Sequence, residues 1–180
     1  SPGRKGYLIG IGGVSMSSLA EVLHGAGLSI TGSDMSDNQN VINLEKKTGI
    51  KVNIGHNAEN IGEDIDFIVR TAAVHDDNPE IIRARELGIP VFERTQAWGS
   101  ISKNYSNAVC IAGTHGKTTT TSMCTHIMMA AEKDPTVMIG GTLPLLQAGH
   151  RVGNGDTLIM ESCEYCNSFL SLFPTVAVIL

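Results

Sequence analysis

Short apolar runs rich in β-branched residues alternate along the chain with stretches whose apolar positions recur every three or four residues. The runs are Tyr7–Ile11, Leu28–Thr31, Ile65–Thr71 and Pro90–Phe92, with a weaker one near Lys51–Asn53. Between them, Ser17–His24, Gln39–Lys47 and Pro79–Leu87 carry helical spacing. Asn78-Pro79 offers an N-cap and a first-turn proline, and Gly88 a C-terminal stop. This alternation predicts a parallel sheet with crossover helices. A polar stretch around Ser100–Ser106 follows, and a new strand, Asn107–Ala112, leads into a glycine turn and a helix. Later strands fit Val137–Ile139, Thr157–Glu161 and Val176–Leu180. The pattern therefore predicts two α/β domains, 1–104 and 105–180, the second ending on a buried strand without a closing helix.

Composition narrows the partners. The hydrophobic fraction of 42% suffices for a core, and 20 glycines imply many sharp turns or close backbone approaches. A net charge of -5 argues against a nucleic-acid or anionic-membrane surface, though not against a phosphate held locally by amides and one lysine. No apolar stretch is long enough to span a membrane, and the opening Ser-Pro-Gly-Arg-Lys-Gly lacks the features of a secretory leader. A cytoplasmic chain with no membrane insertion is the expectation.

Of the four cysteines, Cys110 and Cys124 fall in a predicted strand and helix, where free thiols act as small hydrophobes. Cys163 and Cys166 form a C-x-x-C, but no second pair or suitably spaced histidine pair completes a zinc site.

The strongest chemical signal is Ala112-Gly-Thr-His-Gly-Lys-Thr-Thr-Thr-Thr121. A strand, a glycine turn and a helix opening on Gly-Lys-Thr gather backbone N–H groups around one point, which favours a polyphosphate. Gly113, Thr114, His115, Gly116, Lys117, Thr118 and Thr119 are the candidate nucleotide-binding residues. Lys117 would reach the β- and γ-phosphates, and the Thr118 hydroxyl would ligate Mg²⁺. The usual first glycine of such a loop is replaced by Ile111, and His115 is a shaper of the turn rather than a proton carrier.

A second glycine loop, Gly10-Ile-Gly-Gly-Val-Ser-Met16, follows the first strand. Read as a dinucleotide fingerprint it carries Ser15 in place of the third glycine, and Asp34 stands where such folds place a ribose-binding acid. A third block, Met160-Glu161-Ser-Cys-Glu164, puts carboxylates at a strand's carboxyl end, where they can hold a nucleotide's Mg²⁺. A tight turn and a solvated acid pair are the plainer alternatives for these two blocks.

Taken in order, the three blocks resemble the Mur ligase family. The glycine loop with Gly32-Ser-Asp34 is similar to that family's UDP-binding start, and Thr71-Ala-Ala-Val-His-Asp-Asp-Asn-Pro-Glu80 to its next substrate loop. Ala112–Thr121 resembles its ATP loop, whose shortened glycine spacing accounts for Ile111. Glu161–Leu170 resembles a family segment in which aspartates stand at the positions of Cys163 and Cys166, so a metal role for those two is weakened while Glu161 and Glu164 remain.

The resemblance implies a Rossmann-like UDP-sugar-binding domain followed by the first part of a P-loop-type ATPase domain, the rest of a three-domain enzyme being absent. It implies ATP and Mg²⁺ as cofactors, with UDP-N-acetylmuramate and L-alanine as substrates. The amide would form at the lactyl carboxylate through an acyl phosphate, in peptidoglycan precursor synthesis. Catalysis would rest on Lys117, Thr118 and Glu161, and the metal on Thr118 and Glu161. Substrate contacts would come from Gly12, Gly13, Val14, Ser15, Met16, Ser33, Asp34, His75 and Asn78. Alone, the chain is expected not to form product and to self-associate through an unpaired sheet edge. The alternatives are a UDP-sugar-binding module without turnover, a relative that attaches a recycled tripeptide, and a nicotinamide-dependent oxidoreductase; the last leaves Gly-Lys-Thr-Thr unexplained.

Overall fold

The computed structural model describes residues 4–146, 148–162 and 171–180. Among the described residues, ten strands and five helices divide into two compact units, Ser1–Arg94 and Thr95–Leu180.

In the first unit, β1 (Lys5–Ile9), α1 (Val14–Gly25), β2 (Ser29–Asp34), α2 (Gln39–Thr48), β3 (Val52–Ile54), β4 (Phe67–Arg70), α3 (Pro79–Glu86) and β5 (Val91–Glu93) follow one another, with a 3₁₀ turn at Ala58–Asn60. The sheet order is β3-β2-β1-β4-β5, parallel throughout. This is the doubly wound arrangement, with its switch point between β1 and β4. Side chains alternate across a strand. Tyr7 and Ile9 therefore join Ile61, Ile68, Ile81, Ala84 and Ile89 in one buried cluster, while Leu8 points the other way. Met16, Leu19 and Ala20 of α1 and Val41 and Leu44 of α2 are buried too, and the two helices touch. Asn38 caps α2 by accepting from the Asn40 and Val41 N–H groups, and Gly49 closes it at φ 74°.

The second unit contains α4 (Arg94–Ser102), whose first residue is the last of the first unit, then β6 (Asn107–Ala112), α5 (Lys117–Ala130), β7 (Thr136–Leu143), β8 (Ala148–Arg151), β9 (Thr157–Glu161) and β10 (Val176–Ile179). Its sheet order is β10-β6-β9-β7-β8, parallel except for the β7–β8 hairpin. Ile111, Val137 and Ile159 form its central cluster, with Cys124 and Met128 of α5 packed against it.

The polar stretch put the join at 104, whereas packing places α4 with the second unit. Its Ser102 Oγ receives the Phe173 N–H at 3.3 Å, and the Lys103 ammonium lies 3.8 Å from the Phe173 ring centroid. The α4 sequence, Arg-Thr-Gln-Ala-Trp-Gly-Ser-Ile-Ser, has no clean apolar period, and Trp98 and Ile101 are its large buried side chains.

Candidate functional site

Both glycine loops lie where a parallel strand gives way to a helix, at the carboxyl ends of their sheets, which is where doubly wound folds bind ligands.

In the first unit, the chain leaves β1 through Gly10 at φ 79°, a conformation that favours glycine. The Gly10 and Ile11 N–H groups both donate to the Ser33 carbonyl, at 2.8 and 3.0 Å. The Gly12 N–H donates to Asp34 Oδ2 at 2.8 Å, and Asn40 Nδ2 donates to the Gly12 carbonyl at 2.9 Å. A Cβ at Gly12 would stand 2.6–2.8 Å from Asn38, Asp34 and Val41. Gly13 caps α1 without a side chain, and its N–H donates to the Gly10 carbonyl at 3.2 Å. The Met16 and Ser17 amides turn back to Gly13. Val14 and Ser15 thus supply the first-turn amides left facing outward, at the positive end of the helix dipole.

The expected substrate residues divide accordingly. Val14 and Ser15 stand at the helix mouth, and Asp34 braces the loop while also accepting from the Ser36 N–H at 3.3 Å. A carboxylate has further acceptor capacity, so Asp34 can still receive a ribose hydroxyl. Met16 is fully buried in the core, and the Ser33 side chain is also buried, turned inward onto Glu80. His75 is exposed, while Asn78 Oδ1 caps α3 by accepting from the Glu80 N–H at 2.9 Å. Arg70 stiffens this loop, donating to the Val74 carbonyl at 3.1 Å and to Asp76 at 2.6 Å. Hydrogen bonds from Arg85 and Arg70 hold the Asp76 carboxyl below the usual carboxylate range.

In the second unit, Gly113 at φ 134° and Gly116 at φ 82° set the turn into α5. A Cβ at Gly113 would stand 2.5 Å from the Leu180 carbonyl oxygen. Lys117 Nζ donates to the Gly113 carbonyl at 2.5 Å, so the ammonium lies across the loop's own backbone. Thr118 Oγ1 is 3.0 Å from both Glu161 oxygens, and the Gly140 N–H donates to Glu161 Oε2 at 2.7 Å. Hydroxyl and carboxylate oxygens are the hard donors that Mg²⁺ prefers, usually alongside phosphate oxygens and water. The donor set fits that ion. Among the described residues no group of three or more His, Cys, Asp or Glu gathers to hold a metal. Thr114, His115 and Thr119 are exposed around the turn.

The threonine run is poor helix material, yet it is accommodated by back-bonding. Thr121 Oγ1 donates to the Lys117 carbonyl at 2.8 Å, Ser122 Oγ to Thr118 at 2.7 Å and Thr125 Oγ1 to Thr121 at 2.8 Å. Cys163, Glu164 and Cys166 lie outside the described residues. Burial pushes the Cys110 thiol up, in keeping with an inert core cysteine. Sequence reading missed Gly140 and Asn40 as supports; both look like ordinary strand and helix residues until the register brings them to Glu161 and Gly12.

The model of the Mur ligase family, catalytic domain, matches residues 6–106. The chain is 47% identical over 177 residues to the UDP-N-acetylmuramate--L-alanine ligase of Clostridium perfringens, a match covering 98% of this chain and 38% of that protein. It is 48% identical over 174 residues to the ligase of the same name from Agathobacter rectalis, covering 97% of this chain and 38% of that one. Among solved structures, the UDP-N-acetylmuramate-alanine ligase of Thermotoga maritima superposes with a TM-score of 0.85 at 33% identity, over 97% of this chain and 40% of that one. The UDP-N-acetylmuramate:L-alanyl-gamma-D-glutamyl-meso-diaminopimelate ligase of Neisseria meningitides shares the fold, with a TM-score of 0.85 at 24% identity, over 98% of this chain and 60% of that one. The chain thus spans well under half the length of the curated relatives it matches. With the family model matched across the first sheet and its helices, and with these relatives aligned along nearly the whole chain, the protein belongs to the Mur ligase family.

Proposed function

We propose that this chain supplies the UDP-sugar site and the nucleotide loop of an ATP-dependent ligase that joins L-alanine to the lactyl carboxylate of UDP-N-acetylmuramate. The single observation carrying this reading is the pair of loops. One chain holds a glycine loop braced by Asp34 beneath a helix mouth, and a Gly-Lys-Thr loop whose threonine meets a strand-end carboxylate. The first unit would bind the UDP-sugar, and the second would belong to the ATP-binding domain. Val14 and Ser15 amides would receive the pyrophosphate, with Asp34 beside the uridine and His75 and Asn78 on the loop next to it.

A carboxylate is a poor electrophile; transfer of the γ-phosphoryl group of ATP, with ADP leaving and Mg²⁺ bound, would make it an acyl phosphate from which an amine would then displace phosphate. Lys117 would neutralise charge on the transferred phosphoryl group, while Thr118 and Glu161 would hold the metal oxygen-side. Product formation draws on the whole ligase; this chain provides binding and positioning in a cytoplasmic enzyme. The relative that takes a recycled tripeptide would use the same two loops, and 47% identity to an L-alanine ligase favours L-alanine. Self-association would run along β10, an edge strand on which Val176 and Ile179 are exposed. Light scattering that returns a monomer at every concentration would refute that part.

Calorimetric titration separates the ligase reading from the oxidoreductase one. UDP-N-acetylmuramate should give saturable heat and NAD none. Saturable NAD binding without UDP-sugar heat would overturn the proposal.

A further inference from the structure

Glu80 is fully buried, and no step of the proposed reaction uses it. A buried carboxylate is costly unless donors surround it. Here Oε1 accepts from Tyr7 OH at 2.9 Å and Asn60 Nδ2 at 2.7 Å, while Oε2 accepts from Ser33 Oγ at 2.7 Å and faces His56 Nδ1 at 3.0 Å. These groups come from β1, the 3₁₀ turn, β2 and the segment after β3.

The cluster is not a serine–histidine–acid relay. Ser33 Oγ and Glu80 both approach His56 at Nδ1, each at 3.0 Å, whereas a relay uses opposite ring nitrogens. The Ser33 side chain is moreover buried and bonded directly to the carboxylate.

What the cluster does hold is the end of β2. Ser33 gives its hydroxyl to Glu80 and its carbonyl to two amides, Gly10 and Ile11, which fix where the chain leaves β1. The next residue, Asp34, receives the Gly12 N–H. On the other side, Glu80 follows Pro79 at the start of α3, directly after the 71–78 loop, and its N–H is held by Asn78. One carboxylate therefore ties the strand end that templates the glycine loop to the helix start that carries the second loop.

We propose that Glu80 is a positioning residue for the UDP-sugar site, acting through Ser33 to set the Gly10–Gly13 loop; this rests on the UDP-sugar reading of the first unit. A purely structural carboxylate would change melting and binding in parallel whichever donor is removed. A positioning one confines the binding loss to the Ser33 arm.

The test compares the 180-residue chain with its Ser33→Ala, Glu80→Gln, Tyr7→Phe and Ser33→Ala/Glu80→Gln variants, using UDP calorimetry and thermal melting. Ser33→Ala and Glu80→Gln should each weaken UDP binding about tenfold, the equivalent of one charge-assisted hydrogen bond. The double variant should bind no worse than the weaker single one. Tyr7→Phe should lower the melting midpoint by about 4–8 °C and keep its Kd within about twofold. Unchanged Kd in both Ser33→Ala and Glu80→Gln, or a Kd that follows the melting midpoint in every variant, overturns the positioning role. Should Glu80→Gln not fold, Ser33→Ala with an unaltered circular-dichroism spectrum decides alone. No UDP heat from the unsubstituted chain overturns the UDP-site reading itself, and the positioning role falls with it.

Discussion

Thr118 Oγ1 sits 3.0 Å from each carboxylate oxygen of Glu161, a residue 43 positions away on β9. The parallel β6–β9 register, which pairs Ile111 with Glu161, brings them together. A hydroxyl opposite a carboxylate, at the mouth of a helix that begins with lysine, offers donors that would suit Mg²⁺ held against phosphate oxygens. Thr118→Ala and Glu161→Gln should each reduce the Mg²⁺-dependent part of ATP affinity by about tenfold or more, the loss of one charge-assisted contact. Titration with ATP, with and without Mg²⁺, reads this directly. An unchanged Mg²⁺ dependence in both variants would remove these residues from the metal site.

Gly140 supports the same carboxylate. A Cβ there would stand 2.9–3.0 Å from the Glu161 carboxylate atoms, and the Gly140 N–H already donates to Oε2 at 2.7 Å. The obstructed atoms are the end of a flexible side chain, so Gly140→Ala should alter stability by less than about 1 kcal/mol while shifting Glu161 from Thr118. The expected result is a weakened Mg²⁺ effect on ATP binding with a nearly unchanged urea midpoint. A midpoint that falls steeply would make Gly140 a folding residue instead.

Gly113 should behave differently. Its φ of 134° strains any side chain, and the obstructing atoms include the Leu180 backbone nitrogen, 3.0 Å away and tied to the Ala112 carbonyl. Gly113→Ala should therefore destabilise the second unit by about 1–3 kcal/mol, detectable by denaturant unfolding. No loss of stability would contradict the conformation of this turn.

Tyr7 gives the first unit an alkaline limit. Burial, more than its Glu80 neighbour, pushes the phenol above its ordinary range. Folding favours the protonated form, so this contribution is fully present below the unfolded pKa of ~10 and is lost as pH rises towards the folded value. Stability of the unsubstituted chain should fall above pH ~10, and Tyr7→Phe should fall less steeply over the same interval. Parallel curves for the two chains would show that Tyr7 does not carry the effect.

The sheet strands other than β8 and both glycine loops were legible because β-branched runs, clustered glycines and Gly-Lys-Thr are local signals. Helix α4 was not, since Gly99, two serines and a lone Trp98 give it no apolar period, while residues 171 and 173, far along the chain, meet it at Gly99 and Ser102. Strand β8, Ala-Gly-His-Arg, has no apolar alternation and exists because β7 pairs with it. Ser33 and Met16 stand at motif positions where the family resemblance implies substrate contact, and the pleat and the helix turn point both side chains inward, which no local pattern reveals. Glu80 looked like an ordinary first-turn acid after Pro79; its four partners lie on separate segments, and no local pattern joins them.

The central claim is that the outward amides of the first helix mouth hold the UDP-sugar. Backbone amide chemical shifts of the ¹⁵N-labelled chain, followed during titration with UDP-N-acetylmuramate, test it most directly. The account predicts saturable shifts at Gly12–Ser15 and Asp34, with little change at Gly113–Thr119. Shifts confined to Gly113–Thr119, or none at Val14 and Ser15 at saturation, would contradict it.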